Sequence, residues 1–169
     1  YKIQIQKAGF LQQMYGASLQ SRAGSVLSVG VGEKLTGLKV QLLPQGTISG
    51  TVLDPDGEVV LDSAVDVLRQ MYTPEGRRFQ QVKGTIVDSS GSFKFFDLFP
   101  GSYVVLARPP RFRPTTAKAA SDLANGKTAL IDTYYPTSPD VDWATTVYVT
   151  PGLDERADIH LFRTKVTRV

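Results

Sequence analysis

The sequence predicts an all-β fold of the sandwich type, and three observations predict it. Apolar and polar residues alternate with period two in short runs along the whole chain, the pattern of strands with one buried and one wet face. Turn pairs containing Gly or Pro punctuate those runs at short spacing, as the loops of a sandwich require. With 169 residues, 41% of them hydrophobic and 21% charged, the chain can bury a core of one domain or slightly more.

Taken in order, the alternating runs are Ile3-Gln4-Ile5-Gln6, Leu38-Lys39-Val40-Gln41-Leu42, Val65-Asp66-Val67, Val147-Tyr148-Val149 and Ile159-His160-Leu161. Each reads as a strand whose polar or amphipathic residues, Asp66 and His160 among them, face water. The turn pairs are Asp56-Gly57, Ser90-Gly91, Pro100-Gly101 and Pro151-Gly152. One stretch departs from the pattern. Thr115 to Leu123 is rich in Ala, Lys and Asp, and Asn125-Gly126 stands where a helix would stop, so a long loop carrying a short helix is expected there.

The chain also repeats itself. Tyr1 to Phe10 reads like Tyr103 to Phe112, each a strand ending in the same aromatic. Val26 to Glu33 followed by Leu38 to Leu42 parallels Thr146 to Leu153 followed by Ala157 to Leu161, with spacing that agrees within about a residue. On this reading residues 1–46 are the C-terminal strands of a preceding β-sandwich repeat, residues 47–163 are one complete sandwich, and residues 164–169 begin a following repeat. The stretch from Arg113 to Asp132 has no counterpart in the first copy. A domain present only as its last strands leaves sheet edges and an apolar face open. Its missing strands are expected from the rest of a longer polypeptide, or from an identical subunit by strand donation.

Four stretches carry a family resemblance: Ile48-Ser49-Gly50-Thr51-Val52-Leu53-Asp54-Pro55-Asp56-Gly57, Ala64-Val65-Asp66-Val67, Asp88-Ser89-Ser90-Gly91-Ser92-Phe93-Lys94-Phe95 and Leu98-Phe99-Pro100-Gly101-Ser102-Tyr103. Together they resemble the carboxypeptidase regulatory-like domain family. The later segment from Tyr134-Tyr135-Pro136 to Gly152 looks like bacterial arrays of such domains. The resemblance implies an immunoglobulin-like, prealbumin-like sandwich in tandem, placed in the extracellular space, on a cell surface or in the periplasm, and it imports no peptidase activity. The residues have their own physical reading. Gly50 sits in mid-strand, where a missing side chain permits close packing. Phe93 and Phe95 put two rings on one face, and Pro100-Gly101 turns the chain so that Tyr103 and Val105 return to the same core.

The inventory of chemistry is thin. There is no Cys, so disulfides and thiolate catalysis are excluded and structural zinc loses its usual ligand. The one histidine, His160, is followed by Leu161-Phe162-Arg163 and lacks the His-x-x-Glu spacing of zinc carboxypeptidases. A serine triad would lack a second candidate base. The acidic groups Asp54, Asp56, Glu58 and Asp140, Asp142 cluster, but Asp before Pro or Gly, as at Asp54 and Asp56, is ordinary turn chemistry and nothing matches an EF-hand, so they read as turn residues rather than calcium ligands. No Lys in Thr47 to Leu53 and no Asn in Ala157 to Phe162 supports an isopeptide crosslink. A net charge of +3, with Arg77-Arg78, Arg108, Arg111 and Arg113 as the local concentrations, is not a nucleic-acid stripe. No apolar run approaches the roughly 18 residues of a membrane span. No cofactor or metal is expected.

What remains is the aromatic group Tyr134, Tyr135, Trp143 and Tyr148. Such rings pin a long loop to a sheet, meet a neighbouring domain, or stack on sugar faces. The sequence thus points first to a structural or adhesive module of an exported repeat protein, assembling into an array or filament with neighbouring repeats or identical subunits. The alternative is an accessory module that binds polysaccharide through the aromatic loop.

Overall fold

Alternation prepares segments to pair, and in the computed structural model those from Val65 onward pair into two facing sheets. The structure describes residues 1–18, 21–110, 121 and 128–165. The expected short helix between Thr115 and Leu123 falls, Ser121 apart, outside them, as does most of the stretch 164–169. Almost everything else regular is strand, interrupted by one 3₁₀ turn at Val141–Trp143.

One sheet runs in the order β10 (Val147–Val149), β7 (Gly101–Arg108), β4 (Ala64–Thr73), β5 (Gly76–Ile86), all antiparallel, with β9 (Thr133–Tyr134) pairing the far end of β7. The other is built on β3 (Gly46–Leu53), which lies between antiparallel β6 (Ser92–Leu98) and the parallel strands β11 (Asp154–Arg156) and β12 (Ile159–His160). Burial along β3 alternates without a break, as its sequence requires. Ile48 and Val52 of β3, Phe93 and Phe95 of β6 and Ile159 of β12 meet Val65, Val67, Tyr103, Val105, Val147 and Val149 of the facing sheet in one buried cluster. The two phenylalanine rings lie tilted with centroids 5.8 Å apart. Each such side chain contributes about 1.5–3 kcal/mol by leaving water.

Three turns close as expected. The Gly57, Gly91 and Leu153 amides donate to the carbonyls of Asp54, Asp88 and Thr150 at 3.0, 2.9 and 3.2 Å. At the β6–β7 turn the buried Tyr103 hydroxyl donates to the Phe99 carbonyl at 2.7 Å, fixing Phe99-Pro100.

The first strand of the sandwich is therefore closed by its last, and that closure turns on Gly50. β11 pairs with Thr47–Ser49, β12 with Val52–Leu53, and Ala157-Asp158 steps between them. There the Asp158 carboxylate accepts from the Thr51 amide and hydroxyl at 2.9 and 2.8 Å in place of ladder bonds, and the Ala157 amide donates to the Ser49 carbonyl. A Cβ on Gly50 would collide with the Ala157 backbone and the Phe93 ring.

Asp66 does not face water, as the alternation had implied. It is 4% exposed, and its outward neighbour Leu68 is buried too, at 7%. β4 is a central strand covered on both faces, and such strands lose the alternation. A second buried cluster of Leu68, Val104 and Leu106 is roofed by Phe79, Tyr134, Val141 and Ala144. Asp66 is held there by Arg108 at 2.6 Å and Gln81 at 2.6 Å.

Residues 1–46 depart furthest from expectation. β1 (Gln4–Ile5) pairs only with β2 (Gln13–Met14), and the expected strand Leu38 to Leu42 does not form, because no partner strand lies beside it among the described residues. A definite order of backbone bonds is nevertheless present. The Tyr15 amide donates to Ile3 (2.8 Å), Ser25 to Tyr15 (2.7 Å), and Tyr1 and Leu27 exchange bonds (2.6 and 2.8 Å). Leu11 donates to Leu43 at 2.8 Å beside the Phe10–Pro44 bridge. In the sandwich the Tyr135 amide donates to Val105 (2.9 Å), Thr145 to Tyr135 (2.8 Å), Val147 pairs with Tyr103, and Ile131 donates to Phe162 (3.0 Å) beside the pairing of β8 (Thr128–Leu130) with β13 (Arg163–Lys165). Gly32 and Gly152 even share a φ of 78°.

Gly50→Ala should destabilise the sandwich by about 2–3 kcal/mol through overpacking against rigid backbone. Urea denaturation checks this, and a midpoint equal to that of the parent would refute the close-approach role.

Candidate functional site

The four aromatics divide into two pairs. Tyr134 lies on β9, where its amide donates to Ser138 at 2.6 Å and its ring roofs the Leu68, Val104, Leu106 cluster. Burial, then the nearby Asp132 carboxylate, pushes its phenol above the ordinary tyrosine range. Tyr135 packs against the main core. Trp143 and Tyr148 point outward, 80% and 70% exposed. Tyr148 is the middle residue of edge strand β10, flanked by buried Val147 and Val149, so it stands on the outer face of the β10-β7-β4-β5 sheet. Trp143 ends the 3₁₀ turn whose Val141 and whose following Ala144 cover that same face. The turn is capped by Asp140, whose carboxylate accepts from the Asp142 amide at 2.9 Å. Asp142 in turn pairs with Arg77 near the tip of the β4–β5 hairpin.

The acidic groups are consumed by turns and ion pairs. Buried Asp54 accepts from the Asp56 and Glu58 amides, both at 2.9 Å, and its other oxygen meets Arg163 at 3.0 Å. The same guanidinium reaches Asp56 at 2.9 Å, so the cluster that a cation would need is already neutralised by a residue 109 positions away. Asp88 accepts from the Ser90 hydroxyl and from the Ser90 and Ser92 amides, and those bonds, the Ser90 hydroxyl first, hold it below the usual carboxylate range. Asp158 is likewise lowered, chiefly by its hydrogen bond from Arg156, opposed by burial and helped by Thr51. For Asp154 burial is the largest single influence and pulls upward, but the bond from Lys94 at 2.6 Å, the bonds from Ser49 and Thr47 and the Lys94 charge together outweigh it, and the carboxyl is lowered.

His160 stands exposed on β12, as its flanking residues implied. Among the described residues, no three His, Cys, Asp or Glu side chains converge as metal ligands, and no helix is long and apolar enough to cross a membrane. The buried hydroxyls serve the backbone: Ser63 donates to Val60 and Thr133 to Ile131 at 2.9 and 2.8 Å. A shallow groove beside β3, β5 and β6 is lined by Ser49, Thr85, Asp88, Ser92, Lys94 and Arg156, and its Asp88 carboxylate is taken up by the Ser90 and Ser92 bonds of its own turn. The Asp54–Arg163 and Asp66–Arg108 pairs were missed by the sequence reading. For Asp66 a signal existed in the unbroken Val67-Leu68 and Val104-Val105-Leu106 runs, which mark strands buried on both faces.

The geometry thus defines an all-β sandwich whose charged and hydroxyl groups serve turns and junctions. Residues 47–162 match the family model of the carboxypeptidase regulatory-like domain. The chain belongs to that family, which is non-catalytic. No curated protein matches it.

Trp143→Ala should change stability by less than about 0.5 kcal/mol, as for an exposed side chain. Tyr134→Ala should cost about 2 kcal/mol, because it unroofs a buried cluster. Thermal denaturation of the two variants checks the contrast, and equal losses would contradict the placement of Trp143. Since the folded Asp158 carboxyl is lowered, its contribution is complete above the unfolded value of about 4 and is lost as pH falls through the folded value. Asp158→Asn should therefore lessen the fall in stability on acidification below about pH 4, measured by urea midpoints across that range.

Proposed function

We propose that the chain is a structural module of a tandem array of immunoglobulin-like, prealbumin-like sandwiches, a stiff non-catalytic bead in an exported or surface-attached protein. The observation that carries this reading is the shared order of backbone bonds: residues 1–45 pair with one another as residues 103–164 do. The numbering offset between the two sets changes chiefly across the stretch from Arg113 to Asp132, where the first copy has nothing to match. The Tyr103 hydroxyl bond to a carbonyl four residues upstream also supports the immunoglobulin-like assignment, as a tyrosine corner.

Stiffness follows from the junction. Pro44 bridges Phe10, Gln45 accepts from the Gly152 amide at 3.0 Å, and β3 begins at the next residue, so little slack separates the two units. The Arg22 guanidinium adds a contact across it, 3.6 Å from the Phe99 ring centroid. Neighbouring repeats or identical subunits are the partners this reading implies.

The second reading, a polysaccharide-binding accessory module, is favoured by one observation: the exposed rings of Trp143 and Tyr148 share one sheet face. Flat exposed rings offer stacking surfaces. Two measurements separate the readings. In single-molecule pulling, a structural bead unfolds residues 47–162 in one event with the matching contour length, and stepwise loss would sink the structural proposal. Affinity electrophoresis over a polysaccharide panel should show no retardation; retardation abolished by Trp143→Ala with Tyr148→Ala would favour the second reading.

A further inference from the structure

Residues 1–46 repeat the order of backbone bonds seen in the second half of the sandwich, and the apolar positions that the first half covers in the complete domain stand open there. In that domain β7 is flanked by β4 on the edge away from β9 and β10, through the register Ala64–Arg108 to Leu68–Val104. β1 corresponds to β7, and among the described residues no strand pairs its second edge. The apolar positions agree. Val105, Ala107, Val147, Val149, Ala157, Ile159 and Leu161 are buried against β3, β4 and β6, whereas Ile3, Ile5, Leu27, Val29, Val40 and Leu42 are only half-buried and Leu38 is 39% exposed. Tyr103 is buried with its hydroxyl on the Phe99 carbonyl, while Tyr1, at the matching place, is 80% exposed.

Resting on the tandem reading, we infer that residues 1–46 are a docking surface for the four-stranded opening half of another sandwich of this family, a segment with the pattern of β3 to β6. The occupant's chemistry is set by what covers the same positions in the complete domain. Its first strand carries apolar residues where Ile48 and Val52 stand, its second where Val65 and Val67 stand, and its fourth carries the aromatic pair of Phe93 and Phe95. Set directly before Tyr1, such a segment would connect through a tight turn, as β6 reaches Tyr103 through Phe99-Pro100-Gly101-Ser102, and would offer the Tyr1 hydroxyl a carbonyl like that of Phe99.

The test places a duplicate of residues 46–102 directly before Tyr1 in the full chain and follows hydrogen exchange by mass spectrometry. Amides in residues 1–6, 25–31 and 38–42 should exchange at least about 100-fold more slowly than in the parent chain, which should itself sediment as a monomer. Ile3→Asp with Ile5→Asp in the extended chain should abolish that protection while residues 47–162 stay protected. Unchanged exchange in residues 1–42, aggregation of the extended chain, or a parent chain that dimerises with residues 1–6 protected would each overturn the inference. Pulling the same extended chain separates this from the structural reading: a single unfolding event for residues 47–162 without N-terminal protection sinks the docking surface alone.

Discussion

The sandwich depends on one closure, the pairing of its first strand with its last. β3 holds β6 on one edge and β11 and β12 on the other, so residues about a hundred positions apart share a ladder. Such contacts cost loop-closure entropy before they return anything, and local propensity cannot supply them. Gly50 makes the closure possible, because the step at Ala157-Asp158 brings backbone where a side chain would otherwise stand. The Thr51–Asp158 bonds then satisfy the groups left without ladder partners.

The same closure explains where the charges go. Arg163 follows the last core strand and returns to Asp54, the residue after β3, so the two ends of the domain are joined electrostatically as well as by the ladder. Lys94 on β6 meets Asp154 on β11 across β3, and Arg108 secures Asp66 beneath the aromatic roof.

The surface left over is informative by contrast. Trp143 and Tyr148 sit on a rigid, roofed sheet face, whereas the open apolar positions of residues 1–46 lie on a unit with few strands of its own. The first is surface a folded domain tolerates, and the second is surface that a sandwich normally buries.

The sequence by itself determined the all-β class, the turns at Asp56-Gly57, Ser90-Gly91 and Pro151-Gly152, the shared core of Phe93, Phe95, Tyr103 and Val105, and the outward His160, because each rests on period-two alternation or local turn chemistry. The candidate aromatics were legible as a group, but their division was not. Whether Tyr134 roofs a cluster and Trp143 faces water depends on which strands lie beneath them. Only the tertiary structure decided that Asp66 is buried, since its partners Arg108 and Gln81 come from neighbouring strands. It alone decided that Leu38 to Leu42 forms no strand, for alternation prepares a segment to pair and pairing still requires a second edge.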